Sequence, residues 1–221
     1  MHIPDGFLSA PVFAGSWGVS LGTLIYFTKR IAKKISDKTV PLLGVMSAFV
    51  FAAQMLNFPV MGGTSGHLIG GTLAAVVLGP MCGAISVSIV LIVQCFIFQD
   101  GGITALGANI FNMSLLGSFV SYYIYRGILK IVGKDKFVAA VAIASWSSVM
   151  LAATACSFEL VFSNTVPLKI VLPSMLFVHM FIGIGEAIIT SFVVAFLLKV
   201  RPDLIYANLS GKNLNMEGVK I

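Results

Sequence analysis

Charge is what this sequence has least of. Only 10% of its 221 residues are Asp, Glu, Lys or Arg, while 58% are hydrophobic and the mean hydropathy is +1.01. Soluble domains carry about 25% charged residues, so there is too little polar surface to coat a soluble globule, and that class is excluded. Cysteine is nearly as scarce. Cys82, Cys95 and Cys156 all lie in apolar runs and form no CxxC pair, so they read as buried small hydrophobes and say nothing of redox compartment. No HExxH and no GxxxxGK[ST] occurs, which leaves the chain without an ATPase of its own. No Lys or Arg precedes Lys29, so the start lacks the positive n-region usual ahead of a first apolar run.

What is present is apolar sequence in long stretches, with 17 Phe and 22 Gly. About seven runs are legible, near 7–28, 41–58, 67–79, 81–99, 103–125, 137–163 and 172–198. They predict an all-α integral membrane protein of about seven transmembrane helices. One transmembrane unit over 1–200 is followed by a short cytoplasmic tail, 201–221, set off by Pro202. The third run falls short of the ~20 residues a full span needs. It opens with GGTSGHLIGG, which predicts a short or re-entrant helix with an irregular first turn, tolerated only under a cover of protein or water. Gly79-Pro80 separates it from the next span.

The basic residues orient the chain. Lys29, Arg30, Lys33, Lys34 and Lys38 follow the first run; Arg126, Lys130, Lys134 and Lys136 the fifth; Lys199, Arg201, Lys212 and Lys220 the last. Seven crossings put all three clusters on one side and leave Lys169 alone on the other. By the positive-inside rule the amino terminus is outside and the carboxy terminus cytoplasmic. The net charge of +6 therefore reflects topology rather than nucleic-acid binding.

The start, MHIPDG, offers a metal three nitrogens. With the initiator methionine retained, as a bulky second residue favours, the Met1 amine and the His2 amide nitrogen close a five-membered chelate ring. The same amide nitrogen and the His2 Nδ1 close a six-membered one. Pro4 has no amide hydrogen and cannot extend the chelate. A planar nitrogen set suits Ni(II), Cu(II) or low-spin Co(II) better than tetrahedral Zn(II). The one remaining position calls for an imidazole on the outer side, and of the three histidines, His2, His67 and His179, the natural candidate is His67 at the end of the glycine-rich loop.

Other polar residues stand out by their depth. His179 and Glu186 lie two helical turns apart on one face of the last run, roughly 10 Å along the axis. Glu159, near the outer end of the sixth run, is placed to meet them. Such groups mark either an ion pathway or a hydrogen-bond network between helices. Asn109 and Asn112 share a face of the fifth run, as supports for the loop histidine or as interhelical contacts. Small-residue spacings such as Ala10 with Ala14 and Gly18 with Gly22 permit close helix approach but are cheap in so glycine-rich a chain. A second class is an intramembrane serine hydrolase. GTSG at 63–66 matches the GxSG of rhomboid proteases, with Ser65 as nucleophile and His179 as base, though this leaves MHIPDG unexplained.

Taken together, MHIPDGFLS, GGTSGHLIGG, DGGITALGANIFNM, CSFEL and HMFIGIGEAIIT resemble one family over residues 1 to about 200. It is the substrate-specific M component, CbiM/NikM type, of the energy-coupling-factor nickel/cobalt transporters. The resemblance implies a seven-helix fold with an inserted amino terminus. It implies a site made of the Met1 amine, the His2 amide and imidazole nitrogens and the His67 imidazole. It also implies a transmembrane T component, two ABC-type ATPase subunits and a small N component as partners. The chain stops too early for a fused N component, which is then expected as a separate polypeptide. The expected function is uptake of Ni²⁺ or Co²⁺ through a prokaryotic cell membrane, the ion being transported substrate, with no organic cofactor and no enzymatic activity in this chain. Both ions accept four nitrogens, so the choice between them stays open.

Overall fold

The computed structural model describes residues 1–221 apart from 33, 34, 36, 38, 61–63 and 207–221. Lys33, Lys34, Lys38, Lys212 and Lys220, with Gly62 and Gly63 of the glycine-rich loop and most of the predicted tail, therefore lie outside the described residues.

Helices dominate, as so apolar a sequence requires. In chain order they are α1 (Ala10–Ile31), α2 (Thr39–Gln54), α3 (Gly71–Leu78), α4 (Pro80–Phe98), α5 (Leu106–Asn109), α6 (Ser121–Val132), α7 (Phe137–Phe162) and α8 (Leu168–Val200). A wider π-helical stretch, Ile110–Val120, joins α5 to α6, so that 106–132 runs as one rod. Among the described residues four stretches are long and apolar enough to cross a membrane: α1, α4, Lys134–Phe162 and α8, with α2 apolar but shorter. Large apolar side chains such as Ile97, Phe162, Phe177 and Phe192 are exposed on the outside of the bundle, as a lipid-facing surface would have them.

The third apolar run forms the short helix, but it starts later than position 67. α3 has 8 residues, all of them buried, and left-handed glycines bracket it: Gly70 at φ 70° and Gly79 at φ 83°. Pro80 then opens α4, its missing amide hydrogen costing nothing in a first turn. α3 packs against α4 and the π-helical stretch at glycine positions; a Cβ at Gly83 would lie 2.7 Å from the Ala75 amide nitrogen and 2.8 Å from Ser118 Oγ. Buried hydroxyls join the helices around it: Thr72 Oγ1 donates to Ser121 Oγ (3.0 Å) and lies 3.2 Å from Ser148 Oγ.

One expectation needs refining. The fold is not purely helical: β1 (Asn57–Val60) and β2 (Thr64–His67) form an antiparallel hairpin, pairing Asn57 with His67 and Val60 with Thr64. Pro59 disfavours a helical residue before it, so α2 ends at Gln54 rather than running on to 58. Strand pairing then satisfies main-chain groups that an unpaired loop entering the bundle would leave bare. Beyond α8 the chain keeps contact with the bundle. Pro202–Leu204 makes a 3-10 turn, Ile205 is buried, and the Tyr206 ring packs over Gly79 and near Tyr122.

The α3–α4 approach gives a test of the packing. Gly83→Ala should lower the melting temperature in detergent by an amount matching about 1–3 kcal/mol, as overpacking against backbone does. Gly22→Ala, where a Cβ would meet nothing within 4 Å, should leave it unchanged. Equal melting temperatures for the two variants would show that α3 and α4 are less closely seated.

Candidate metal site

The first residues are drawn into the bundle by a loop shaped to receive them. Asp5 accepts from the Ile103 amide (3.1 Å), the Thr104 amide (2.7 Å) and Thr104 Oγ1 (2.5 Å). The Gly102 amide donates to the Ile3 carbonyl at 2.9 Å. Gly102 approaches the Pro4–Asp5 main chain so closely that a side chain there would collide with it, and Gly101 turns the loop at φ 93°. One turn further on, Asn109 completes the anchor. Its Oδ1 accepts from the Ile3 amide (2.9 Å) and its Nδ2 donates to the Ile3 carbonyl (3.2 Å), as an adjacent strand would. Thr165, beyond α7, donates through its hydroxyl to the Phe7 carbonyl. The outcome is a buried chain end: Met1 is 0% exposed and His2 4%.

The terminus meets β2. The Met1 amine donates to the Ser65 carbonyl and lies 3.1 Å from Ser65 Oγ, which also accepts from the His2 amide at 3.1 Å. The His2 and His67 rings are stacked, with centroids 4.6 Å apart and planes 22° apart. On its other side His2 Nδ1 lies 3.1 Å from Asp100 Oδ1, near it but without hydrogen-bond alignment. His67 Nδ1 lies 2.8 Å from the Leu68 carbonyl. A carbonyl only accepts, so Nδ1 carries the ring proton and Nε2 is left with a bare lone pair, buried and without a hydrogen-bond partner among the described residues.

Helix α8 backs this arrangement. Thr64 Oγ1 donates to Met175 Sδ (3.1 Å), and Gly66 packs against Val178 and Ile182. Glu186 accepts from the amides of Ile69 (2.6 Å) and Gly70 (3.1 Å), the free donors at the entry to α3, and Gln54 Nε2 donates to the Ile69 carbonyl (2.8 Å).

Burial sets the protonation of the nitrogens. It drives the Met1 amine from its ordinary 8.0 down to about 5. His2 is lowered by burial, against the opposing pull of Asp100. His67 is held well below the usual imidazole range by burial first, then by the terminal amine and His2, with His179 adding to the same effect. Near pH 7 the site therefore presents neutral nitrogens, the form a metal binds. Among the described residues no three His, Cys, Asp or Glu side chains are grouped to hold a metal ion.

Met1, His2, Ser65, His67 and Asn109 thus come together, and His179 lies on the face of α8 behind β2. Asn109 supports Ile3, not the loop histidine. Asn112 Nδ2 donates to Glu159 at 2.6 Å, so neither of that pair reaches His67, and Glu159 is bonded to Asn112 rather than to His179 or Glu186. Glu186 holds the loop. Three contributors carry no assigned role in the sequence reading: Asp100 beside His2, Asp5 as anchor and Gln54. The repeated Asp-Gly of PDG and DGG was the available signal for the first two. The serine hydrolase gains no support. Ser65 Oγ is engaged by the terminal nitrogens, and His179 Nε2 has no hydrogen-bond partner among the described residues.

Fold and site define a helical membrane protein with a buried cluster of neutral nitrogens built around its own amino terminus. Residues 2–204 match the family described as CbiM, cobalt uptake substrate-specific transmembrane region, and the chain belongs to that family. It is 42% identical over 209 residues to the "Putative fused nickel transport protein NikMN" of Archaeoglobus fulgidus, covering 93% of this chain and 68% of that protein. It is 40% identical over 140 residues to a cobalt transport protein CbiM of Acetoanaerobium sticklandii, covering 62% of this chain and 55% of that one. A crystal structure described as a truncated transition metal transporter superposes with a TM-score of 0.84 at 38% identity, covering 90% of this chain and 99% of that one.

The anchoring of the terminus is open to test without any metal. Asn109→Ala should expose the Met1 amine to amine-reactive labelling near pH 7 at least about tenfold faster than the parent, since two buried hydrogen bonds to Ile3 are lost. Unchanged labelling would mean that the Asp5, Gly102 and Ser65 contacts hold the segment without Asn109.

Proposed function

We propose that this chain is the substrate-capturing M component of an energy-coupling-factor transporter and binds Ni²⁺ or Co²⁺ outside the cell for ATP-driven uptake. The carrying observation is the convergence of the buried Met1 amine, the His2 amide and ring, and the bare Nε2 of His67. Family membership and the nickel and cobalt named for its relatives support the same reading. The Met1 amine, the His2 amide nitrogen, His2 Nδ1 and His67 Nε2 form a square-planar set around the ion. Closing it turns His2 Nδ1 from Asp100 onto the metal and removes the amide proton now donated to Ser65 Oγ. Such a set excludes Mg²⁺ and Ca²⁺, which take oxygen ligands in higher coordination. The amino terminus faces outward and the basic helix ends face the cytoplasm, with about seven crossings, one of them the short α3. A T component, two ABC-type ATPase subunits and an N component are its partners, and ATP hydrolysis by the ATPases supplies the energy. Inward release requires the terminal segment or residues 59–66 to move.

Titration calorimetry with Ni²⁺ on the native terminus and on a form with two extra residues ahead of Met1 tests the site. The extension converts the amine into an amide and deletes no side chain, so tight binding should be lost, as it should in His67→Ala. Native affinity in either variant would remove that ligand from the site.

The depressed amine makes a separate prediction. An amine with the ordinary value of 8.0 would be mostly protonated at pH 7 and would release its proton on binding, whereas one at about 5 is already neutral. Titrations in buffers of differing ionisation enthalpy should therefore give about one proton per ion at pH 7, from the amide, rather than about two. Affinity should fall as pH drops toward the folded value of the amine. A count of two would place the amine in water-like surroundings.

A further inference from the structure

His179 is the one histidine that the planar set leaves unused, and its surroundings fix where it sits. Along α8, Met175 meets Thr64, Val178 and Ile182 meet Gly66, and Glu186 holds Ile69 and Gly70. His179 is thus bracketed by side chains that touch the β2–α3 segment on either side of His67. The residue is 0% exposed, its Nδ1 lies 2.8 Å from the Met175 carbonyl, and Nε2 is buried without a hydrogen-bond partner among the described residues. That carbonyl fixes the ring proton on Nδ1 and locks the ring, so the Nε2 lone pair is bare, which is the construction of His67 repeated on α8. A buried acceptor without a donor is costly in a helix bundle, and a donor-free imidazole nitrogen suits a transition metal.

The three layers are ordered. Asp100, with its side chain 26% exposed, lies beside His2; His2 stacks on His67; and the face of α8 that carries His179 lies behind His67. A planar four-coordinate ion exchanges ligands most readily when a fifth donor approaches from outside the plane.

We propose that His179 is a transfer ligand, whose Nε2 takes the ion from the planar set on its way inward; this rests on the transport function proposed above. The Nε2–metal bond forms as the His2 Nδ1–metal bond breaks; the amide N–metal bond then breaks as that nitrogen takes back one proton from solvent, the amine and His67 bonds break as the ion moves on, and the ion stays divalent throughout. At rest His179 adds nothing to equilibrium affinity. It acts only once the ATP-driven cycle loosens the terminal segment.

The test uses the complete transporter in proteoliposomes, with Ni²⁺ binding measured without ATP and Ni²⁺ uptake with it, for the parent, His179→Gln and His179→Cys. Gln retains a donor for the Met175 carbonyl but no soft lone pair, and Cys offers a thiolate ligand but no such donor. Loss of a transfer ligand should leave Gln with binding within about threefold of the parent and uptake at least about tenfold slower, with Cys recovering part of the rate. A purely structural histidine gives the reverse order, Gln active and Cys impaired, and overturns the proposal. Parent-like uptake in the Gln variant, uptake no better in Cys than in Gln, or binding lost in step with uptake overturns it as well. A parent transporter that neither binds nor carries Ni²⁺, nor Co²⁺ in a parallel assay, would sink the transport function itself, which separates the two failures.

Discussion

Everything in this structure depends on taking a chain end out of water. An ordinary terminus is solvated, and its amine and first peptide groups find their partners there. Here Met1 and Ile3 are fully buried, so each of those groups needs a partner from the protein. Ser65 serves the amine and the His2 amide, and Asn109 and Gly102 serve Ile3. Asn109 is suited to this because its amide side chain is a peptide unit in miniature, donor and acceptor side by side. Close approach of two loops demands glycine, and Gly101 and Gly102 supply it. The DGG loop, the hairpin and the break before α3 are best understood as the housing of that terminus.

The second demand is that β2 present His67 at a fixed height. β2 leads into a turn that ends in the left-handed Gly70, and the amides of Ile69 and Gly70 have no partner within α3 itself. Glu186 accepts from both. One buried carboxylate thus ties the loop that carries His67 to the longest helix, while Met175, Val178 and Ile182 close the same seam with sulfur and aliphatic contacts. A cluster drawn from a terminus and a hairpin can be rigid only if a helix holds both. α8 holds the hairpin directly, and it holds the terminus through Ser65.

The sequence made the helical membrane architecture plain, because long uncharged runs leave few alternatives, and the Gly79-Pro80 boundary was equally legible. Local signals also singled out MHI and His67, which the fold brings together. The hairpin was harder. Pro59 argued against a helix there, but strand pairing depends on what lies opposite, and a periodicity of apolar residues does not carry that information. The partners of the buried polar residues were hardest. Nothing in the spacing of Asn109 and Asn112 says that one turns to Ile3 and the other to Glu159, since that depends on how the rod 106–132 is rotated. The π-helical stretch from Ile110 alters that rotation within the very segment that carries Asn112.

A buried site for a divalent ion faces an electrostatic difficulty, because moving a double charge from water into a helix bundle is unfavourable unless it is neutralised nearby. Neutral nitrogens alone do not neutralise it. On the proposed chemistry the His2 amide gives up its proton and becomes an anion, which cancels one charge of the ion. Asp100, 3.1 Å from the His2 ring, is positioned to balance the other. The complex as a whole is then close to neutral, and the protein keeps only one permanent carboxylate beside the ring, at the more solvent-accessible side, where it can remain hydrated when no ion is bound. A cage of Asp and Glu would reach the same neutrality but would also accept Mg²⁺ and Ca²⁺. An amide nitrogen that ionises only against a metal able to displace its proton supplies the compensating charge only for the ions it is meant to hold. On the proposed chemistry charge balance and selectivity come from the same atom, and that would account for the enclosure of the methionine and histidine at the start of the chain.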